Sequence, residues 1–238
     1  MKTEQLNTLF KEMSTCQKCL NMCKKKQDCS LINIYQTNIY KEIPSIWTDW
    51  YNRINSKIMI IGQDWGPYTE MQKFRESYLK KQTTEKWFEI IEEEKSLTKK
   101  MLTRYLIESA SSYNININAS FLNDIYITNA IMCARKGTNY RSNNIKLKDC
   151  TLNCSSYLKK QIEIVKPKII LTLGYYPLLS LSQIYNLKIY DKVSDNINNI
   201  GIFKLKNTII IPLFHPAAQI SKEKQLNQYR KIWQYYER

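Results

Sequence analysis

The cysteines of this 238-residue chain have a spacing that suits metal binding. Two of them form a C-x-x-C pair, from which two thiolates can reach one metal within a single turn. Two further thiolates brought by the fold would complete a site for zinc or for an iron–sulfur cluster, and spacing alone does not separate these. A redox pair of thioredoxin type is disfavoured because no predicted strand precedes it. The seven cysteines are Cys16, Cys19, Cys23, Cys29, Cys133, Cys150 and Cys154.

A second group of chemically capable side chains follows apolar runs. Asp64 comes shortly after "IMIIG", Asn129 ends "IYITN", and His215, the only histidine, follows "IIIPLF". Taken singly, an acid in such a turn often only caps the next helix, and a histidine before proline can be an ordinary loop residue. Together they offer a carboxylate, an amide with both donor and acceptor, and an imidazole.

Apolar runs with β-branched residues predict the strands that position these side chains. The runs are continuously apolar, which is typical of parallel strands covered on both faces. A weaker candidate at residues 201–205 would form a hairpin with the last strand. The four main strands are predicted at residues 57–61, 125–128, 168–173 and 208–213.

Segments with helical spacing of apolar residues alternate with the strands. They lie at residues 96–109, 154–166 and 223–236, and the first two each follow a Ser or Thr able to cap a helix. The alternation predicts a three-layer α/β/α sandwich around a central, mainly parallel four-stranded sheet. Ligands bind beyond the carboxyl ends of strands in such sheets, so the acid, the amide and the histidine are expected at one edge.

The composition indicates one folded domain, residues 1–238, with a polyanionic partner. Hydrophobic residues make up 43% of the chain, which is enough to bury a core. The formal charge of +15 favours nucleic acid, although A/T-rich coding could account for part of the lysine excess. No run approaches the roughly 18 to 20 apolar residues of a membrane helix, and no signal peptide is evident. We therefore expect a cytoplasmic monomer with reduced cysteines and no membrane partner.

Five motifs follow one another between Cys16 and Gln219: "CQKCLNMC", "IIGQDWGP", "ITNAIMCARKGTNYR", "CSSYLKKQIEIVKPKIILTLG" and "LFHPAAQ". Their order resembles the uracil-DNA glycosylase superfamily, and most closely its iron–sulfur-containing branch, family four. That branch has C-x-x-C-x-L-C near the N-terminus, a G-E-A-P-G type motif after the first strand, and H-P-S or H-P-A near the C-terminus. The resemblance implies removal of uracil from DNA.

The resemblance also implies a metal centre. Its ligands would be Cys16, Cys19, Cys133 and Cys154, and its cofactor a 4Fe–4S cluster, with zinc as the alternative. Cys154 stands at the family's distance from the following helix and strand, while Cys150 is an alternative fourth ligand.

The implied chemistry uses the predicted sheet edge. A base inside a duplex is unreachable, so the nucleotide is flipped into a pocket, where Asn129 would read its Watson–Crick edge. Cleavage of the glycosidic bond develops positive charge on the sugar and negative charge on the departing base. Asp64 would stabilise the first and orient water, and His215 would donate a hydrogen bond to the second.

The first motif departs from the family pattern. Gln63 stands where family four usually has Glu, whereas Asp64, one place later, matches the G-Q-D-P-Y-H motif of another branch. Trp65 replaces the Pro of that motif, and its ring could narrow the pocket, stack on nucleic acid or pack outward. The P-F-x-G segment that normally supplies a stacking ring is not evident, and Tyr68 is the nearest replacement. Gln63, Trp65 and Tyr68 thus join Asn129 as expected substrate-binding residues.

Residues 134–148 include several basic side chains and no acidic one. This composition suits phosphate contacts, although a solvated surface loop would have the same composition. Within this stretch Arg135, Lys136 and Arg141 are expected to contact DNA, together with Pro216 and Ala217 of the last motif.

Two functions stay open from the sequence. The chain is either a DNA-repair hydrolase acting on uracil or a related base, or a repurposed member that binds nucleic acid with its pocket altered by Trp65. An iron–sulfur electron carrier would leave Asp64, Asn129 and His215 unexplained. The preference for single-stranded or double-stranded DNA and the identity of protein partners are not specified by these motifs.

Overall fold

The computed structural model describes residues 1–19, 31–39, 53–73, 97–117, 125–136 and 146–236. Within these ranges a mostly parallel sheet is covered by helices on both faces. No helix in this part of the chain has the length and apolar character needed to cross a membrane.

The strands form a central sheet and a separate small ribbon. They are β1 (Leu31–Asn33), β2 (Ile58–Gly62), β3 (Ile125–Asn129), β4 (Cys133–Arg135), β5 (Ile169–Leu173), β6 (Phe203–Lys204) and β7 (Ile209–Leu213). The central order is β3-β2-β5-β7-β6, in which β6 alone runs antiparallel, and β1 pairs with β4 antiparallel in the ribbon. The four predicted parallel strands are confirmed to within one residue at each end. The hairpin strand at the edge is confirmed too, although it is shorter than the predicted range of residues 201–205.

The helices divide between the two faces of the sheet. They are α1 (Lys2–Ser14), α2 (Leu97–Ser111), α3 (Leu147–Val165), α4 (Tyr175–Tyr185) and α5 (Lys222–Tyr236). Buried side chains of α1, α3 and α4 belong to one core cluster, and those of α2 and α5 to the other. Alternate strand residues feed the two clusters: Met59 and Ile61 of β2 join the first, and Ile58 and Ile60 the second. The predicted α/β/α sandwich is therefore confirmed.

One helix begins earlier than its sequence pattern predicted. Helix α3 starts at Leu147 rather than near Cys154, and its N-cap, Lys146, makes no side-chain capping hydrogen bond. The prediction that a Ser or Thr caps this helix is therefore wrong. As a result, Cys150 and Cys154 both lie inside α3, one turn apart, and both are buried.

A buried polar network fixes β3 against α3. The Gln161 side-chain oxygen accepts hydrogen bonds from Tyr126 Oη at 3.0 Å and from Thr128 Oγ1 at 2.9 Å. Gln161 is fully buried, so these bonds satisfy a polar group that would otherwise cost free energy in the core. The network holds the strand that ends at Asn129.

Candidate active site and cysteine cluster

Parallel strands bring polar side chains to one edge of the sheet. Gly62 of β2 pairs with Asn129 of β3, and β5 separates β2 from β7. Because these strands run in the same direction, the residues that follow β2 and β7 lie at this edge too. The Asp64 carboxylate is close enough to His215 to influence the pKa of its imidazole. The acid, the amide and the histidine are thus brought together.

Asp64 is held by donors on both carboxylate oxygens. Its Oδ1 accepts the backbone N–H of Gly66 at 2.7 Å and lies 3.4 Å from Arg135 Nη2, while its Oδ2 accepts the Gln63 amide at 3.0 Å. The Asp64 side chain is only 5% exposed. Gln63 therefore contacts the carboxylate, as a neutral donor, while its role toward substrate stays a prediction.

Asn129 lies against a glycine that cannot be larger. A Cβ placed on Gly62 would come within 2.5 Å of Asn129 Oδ1, so the glycine makes room for the amide. The Asn129 amide nitrogen is buried and has no hydrogen-bond partner among the described residues. A buried donor without a partner is costly unless a ligand satisfies it. This amide therefore has the state expected of a group that binds a carbonyl oxygen.

His215 is anchored in a defined tautomer. Its carbonyl accepts the side-chain amide of Gln225 in α5 at 3.1 Å, and its Nδ1 accepts the backbone N–H of Ala217 at 3.3 Å. Burial lowers the pKa of His215 below its ordinary value of 6.5, an effect that the nearby Asp64 carboxylate opposes. The imidazole is therefore neutral at pH 7, and because Nδ1 is an acceptor, Nε2 carries the proton.

The shifted pKa of His215 predicts a loss of stability in mild acid. Between its lowered folded-state pKa and the unfolded value near 6.5, the unfolded chain binds more protons. The free energy of unfolding should fall as the pH drops below this value, by at most about 1.4 kcal/mol per pH unit for one group. Since His215 is the only histidine, urea unfolding of wild type and His215→Gln between about pH 5.5 and pH 7.5 isolates its contribution. Parallel curves for the two proteins would contradict the prediction.

The two aromatic residues of the first motif point into the protein. Trp65 is 6% exposed and belongs to the core cluster on the α1, α3 and α4 side, and Tyr68 is half-buried against the same cluster. Of the three placements considered for Trp65, outward packing is excluded. Its indole nitrogen is buried without a hydrogen-bond partner in the described part of the chain.

Another aromatic residue stands at the edge where it was not expected. Tyr175 follows Gly174 at the carboxyl end of β5, the strand between β2 and β7, and is only partly buried. Its ring meets that of Tyr176 edge-on, with centroids 5.6 Å apart, and Tyr176 packs against the core. The sequence predicts the strand end at Gly174, but the apolar pattern gives no signal that the two tyrosines after it lie at the ligand-binding edge.

The expected DNA-contacting residues differ in exposure. The Arg135 side chain is 12% exposed and faces Asp64, whereas the next residue, Lys136, is exposed. Pro216 is buried, and the N–H of Ala217 is used by His215. Arg141 lies outside the described residues. Contact with DNA stays a prediction for all of them.

Five cysteines from three segments meet on the α1 and α3 side of the sheet. Cys16 and Cys19 follow α1, Cys133 lies in β4, and Cys150 and Cys154 lie in α3; all five are free thiols. Cys23 and Cys29 are outside the described residues. Hydrogen bonds from the thiols of Cys150 and Cys154 lower the pKa of Cys19 and raise the pKa of both donors.

Other polar groups surround these sulfurs. Asn153 Nδ2 lies 3.7 Å from Cys19 Sγ, and the Tyr157 hydroxyl is hydrogen-bonded to Cys16. Asn153 and Tyr157 are one turn apart on the same face of α3. Burial, together with the charge on Cys19 and Cys16, raises the pKa of Cys133 to about 12. A nearby cation would stabilise a thiolate in this buried environment.

The described residues contain no group of three or more Cys, His, Asp or Glu side chains arranged to hold a metal ion. The donor chemistry nonetheless fits a thiolate-bound centre, because several cysteine sulfurs lie together, largely shielded from water and close to hydrogen-bond donors. Both Cys150 and Cys154 contact Cys19, so the geometry leaves both available as the fourth ligand.

Comparison with known proteins identifies the family of this chain. Residues 48–237 match the family described as the Uracil DNA glycosylase superfamily, and the chain belongs to that superfamily. It is similar to a type-4 uracil-DNA glycosylase of Saccharolobus solfataricus, with 33% identity over 41% of this chain and 43% of that protein. A type-4 uracil-DNA glycosylase of Sulfurisphaera tokodaii is 32% identical over 40% of this chain and 42% of its own length. The chain thus spans less than half the length of these curated relatives.

Proposed function

We propose that this chain is a uracil-DNA glycosylase that hydrolyses the N-glycosidic bond of uracil, or of a related base, in DNA. The observation that carries the proposal is the meeting of a buried, ion-paired carboxylate, Asp64, with a neutral imidazole, His215, at the ligand-binding edge of the sheet. Membership of the superfamily supports the same activity.

His215 would act on the departing base. As the bond between sugar and base breaks, its electron pair goes to the base, whose carbonyl oxygen becomes negative. The Nε2–H of a neutral imidazole can donate a hydrogen bond to that oxygen, so His215 does not first have to take up a proton. The bond from Ala217 to Nδ1 supports this role, because it keeps the proton on Nε2.

Asp64 would act on the sugar and on water. The sugar becomes electron-poor as the base departs, and a fixed carboxylate stabilises that charge. Water then adds to the sugar carbon and releases a proton, which neutralises the base anion, so that the products are a free base and an abasic site. The donors that hold Asp64 fix its orientation before the reaction.

Asn129 and the aromatic side chains would recognise the flipped base. The unsatisfied amide N–H of Asn129 suits a carbonyl oxygen of uracil, and the glycine beside it allows close approach. Tyr175 offers a partly exposed ring at the same edge, and base–ring stacking would stabilise an unpaired nucleotide. Trp65 and Tyr68 would shape the pocket from inside.

The positive charge of the chain would supply affinity for DNA. A net charge of +15 favours phosphate contacts that release counterions, and Lys136 and Arg141 are candidates for such contacts. We propose that residues 1–238 act as one domain and as a monomer, in the cytoplasm, where the thiols stay reduced.

The cysteine cluster would hold a 4Fe–4S centre, with zinc as the alternative. Cys16, Cys19, Cys133 and Cys154 are the proposed ligands, and Cys150 is the alternative to Cys154. When bound, the cluster would cross-link the segment after α1, strand β4 and helix α3. Asn153 and Tyr157 would donate hydrogen bonds to the ligand sulfurs.

One observation favours a second function, binding of nucleic acid without glycosylase activity. Trp65 is buried beside the candidate catalytic residue, where its indole ring would reduce the space for a base. Gln63, in the place of the family-four acid, cannot act as a base and points in the same direction.

Incubation with uracil-containing oligonucleotides, single-stranded and double-stranded, tests the proposal. Abasic sites are converted to strand breaks by alkali, and breaks at the uracil position are expected. Unbroken strands together with salt-sensitive binding of the same oligonucleotides would support the second function instead.

A further inference from the structure

Arg135 occupies a position that its sequence context does not suggest. It begins a stretch of basic residues, yet its guanidinium is turned inward and lies 3.4 Å from Asp64 Oδ1. The Arg135 side chain is 12% exposed and that of Asp64 is 5% exposed, so the ion pair is largely shielded from water. A residue that tracks DNA phosphates needs solvent-facing donors, which is the condition of the next residue, Lys136, and not of Arg135.

The backbone of Arg135 is fixed to the turn that contains Asp64. The Arg135 N–H donates to the Gly66 carbonyl at 3.0 Å, and a strand-like bridge joins Arg135 to Pro67. On its other side, Arg135 pairs with Leu31 of β1. The guanidinium therefore approaches Asp64 from a strand that is bonded directly to the turn after β2.

The carboxylate needs this neighbour for a physical reason. A carboxylate that is almost entirely removed from water is costly unless opposite charge and hydrogen-bond donors compensate it. The Gly66 N–H and the Gln63 amide supply two donors, but both are neutral. The guanidinium supplies the positive charge at Oδ1.

The two carboxylate oxygens of Asp64 have different contacts. Oδ1 is bound by the Gly66 N–H and faces the guanidinium, and Oδ2 accepts the Gln63 amide. Each carboxylate oxygen can accept about two hydrogen bonds, so Oδ2 has capacity left for a water molecule or a sugar atom. Oδ1 is the anchored oxygen, and Oδ2 is the one that can face the reaction.

We propose that Arg135 is a positioning residue that holds the Asp64 carboxylate on the Gly66 turn, so that Oδ2 is presented to the reacting sugar and water. The role rests on the glycosylase reaction proposed above, in which Arg135 itself touches neither substrate nor water. A misplaced reacting group commonly costs about 10²-fold in rate, and that is the loss expected when the guanidinium is removed.

Arg135→Met and Arg135→Lys test this role by single-turnover kinetics on a uracil-containing oligonucleotide. Met should lower the rate about 10²-fold with little change in KM, and Lys, which keeps the charge, should recover about 10-fold of that loss. Asp64→Asn with Arg135→Met should be no slower than Asp64→Asn alone, because the arginine acts through the acid. Arg104→Met is the matched control, since Arg104 forms an exposed pair with Glu108 in α2.

The salt dependence of DNA binding separates positioning from phosphate contact. The slope of log Kd against log salt should be unchanged by Arg135→Met, whereas loss of a phosphate contact would reduce it by about one. A reduced slope with an unchanged single-turnover rate would overturn the proposal.

Amide hydrogen exchange at Gly66 gives a readout that does not require activity. The Gly66 N–H donates to Asp64 Oδ1, so it should exchange faster in Arg135→Met than in wild type or Arg104→Met. If wild type cleaves no uracil but this amide is deprotected in Arg135→Met, the glycosylase function fails, while the hold of Arg135 on the Asp64 carboxylate at the Gly66 turn stands. If wild type is active while rate and exchange are both unaffected, the positioning role fails alone. If Arg135→Met does not fold, Arg135→Lys carries the same tests with a smaller expected change, and wild-type values for rate and exchange would overturn the role.

Discussion

Asp64→Asn should lower the single-turnover rate of uracil removal by about 10³-fold, because it removes the charge that we propose stabilises the electron-poor sugar. The side chain keeps its size, and its amide oxygen can still accept a hydrogen bond from the Gly66 N–H. Binding of DNA should not weaken, since a negative charge is lost from the site proposed to receive this polyanion. The loss should therefore appear in kcat and not in KM.

The comparison requires a carboxylate-to-amide change of the same kind elsewhere. Glu223→Gln is suitable, because Glu223 is 67% exposed and pairs with Arg230 on the surface of α5. The substitution at Asp64 also removes a charge that compensates Arg135, so the free energy of unfolding should fall, by at most about 3 kcal/mol. An Asp64→Asn variant that is folded and within about threefold of the wild-type rate would show that another group stabilises the sugar.

The strands of this fold could be predicted from sequence because each is a short, uninterrupted apolar run. Buried parallel strands need such runs, and tertiary packing does not shift them by more than a residue. The edge hairpin was predictable for a related reason, since residues 201–205 lie close in sequence to the strand they join.

The helices were harder to predict for two physical reasons. The buried face of α3 begins with Leu147 and Cys150, and a cysteine at helical spacing does not register as an apolar residue although it packs as one. Pro177 suggests a helix break, yet it lies in the first turn of α4, where a missing N–H removes no intrahelical bond. Helix α1 was not predicted either.

The candidate site was predictable only as far as strand ends can be located. The shared position of Asp64, Asn129 and His215 follows from the rule that the residues after parallel strands lie at one edge of the sheet. The inward turn of Arg135 does not, because it depends on a bridge from β4 to Pro67 and on pairing with the distant β1. The basic residues around Arg135 predict that it contacts DNA phosphates, whereas its pairing with distant segments turns its side chain inward, toward Asp64.

The cysteine cluster also depends on long-range packing. Cys19 Sγ lies 3.9 Å from the carbonyl oxygen of Cys150, a residue 131 positions away in sequence. The C-x-x-C pair predicted a metal site, and the family resemblance pointed to Cys154 or Cys150 as a further ligand. The docking of α3 beside the segment after α1 brings both of these thiols to Cys19. Both candidates for the fourth ligand were brought to the same place.

Serine substitutions in α3 test whether Cys154 or Cys150 is a ligand of the proposed cluster. Protein purified without oxygen should be brown and contain about four iron and four sulfide per chain, as a 4Fe–4S centre requires. Cys154→Ser should lose most of this iron and its visible absorption, whereas Cys150→Ser should retain it. The two residues are matched controls, since they lie one turn apart and are 3% and 0% exposed.

Loss of the proposed cluster should also lower the free energy of unfolding. A centre that joins Cys19 to α3 closes a loop of more than a hundred residues, and a cross-link of that length stabilises a fold by about 5 kcal/mol. Cys154→Ser should therefore unfold at a much lower urea concentration than Cys150→Ser, although both place a hydroxyl in the same buried region. The reverse order would make Cys150 the ligand. Colourless wild-type protein with one zinc per chain would replace the cluster by a zinc site, in which the two serine variants would differ in zinc content instead.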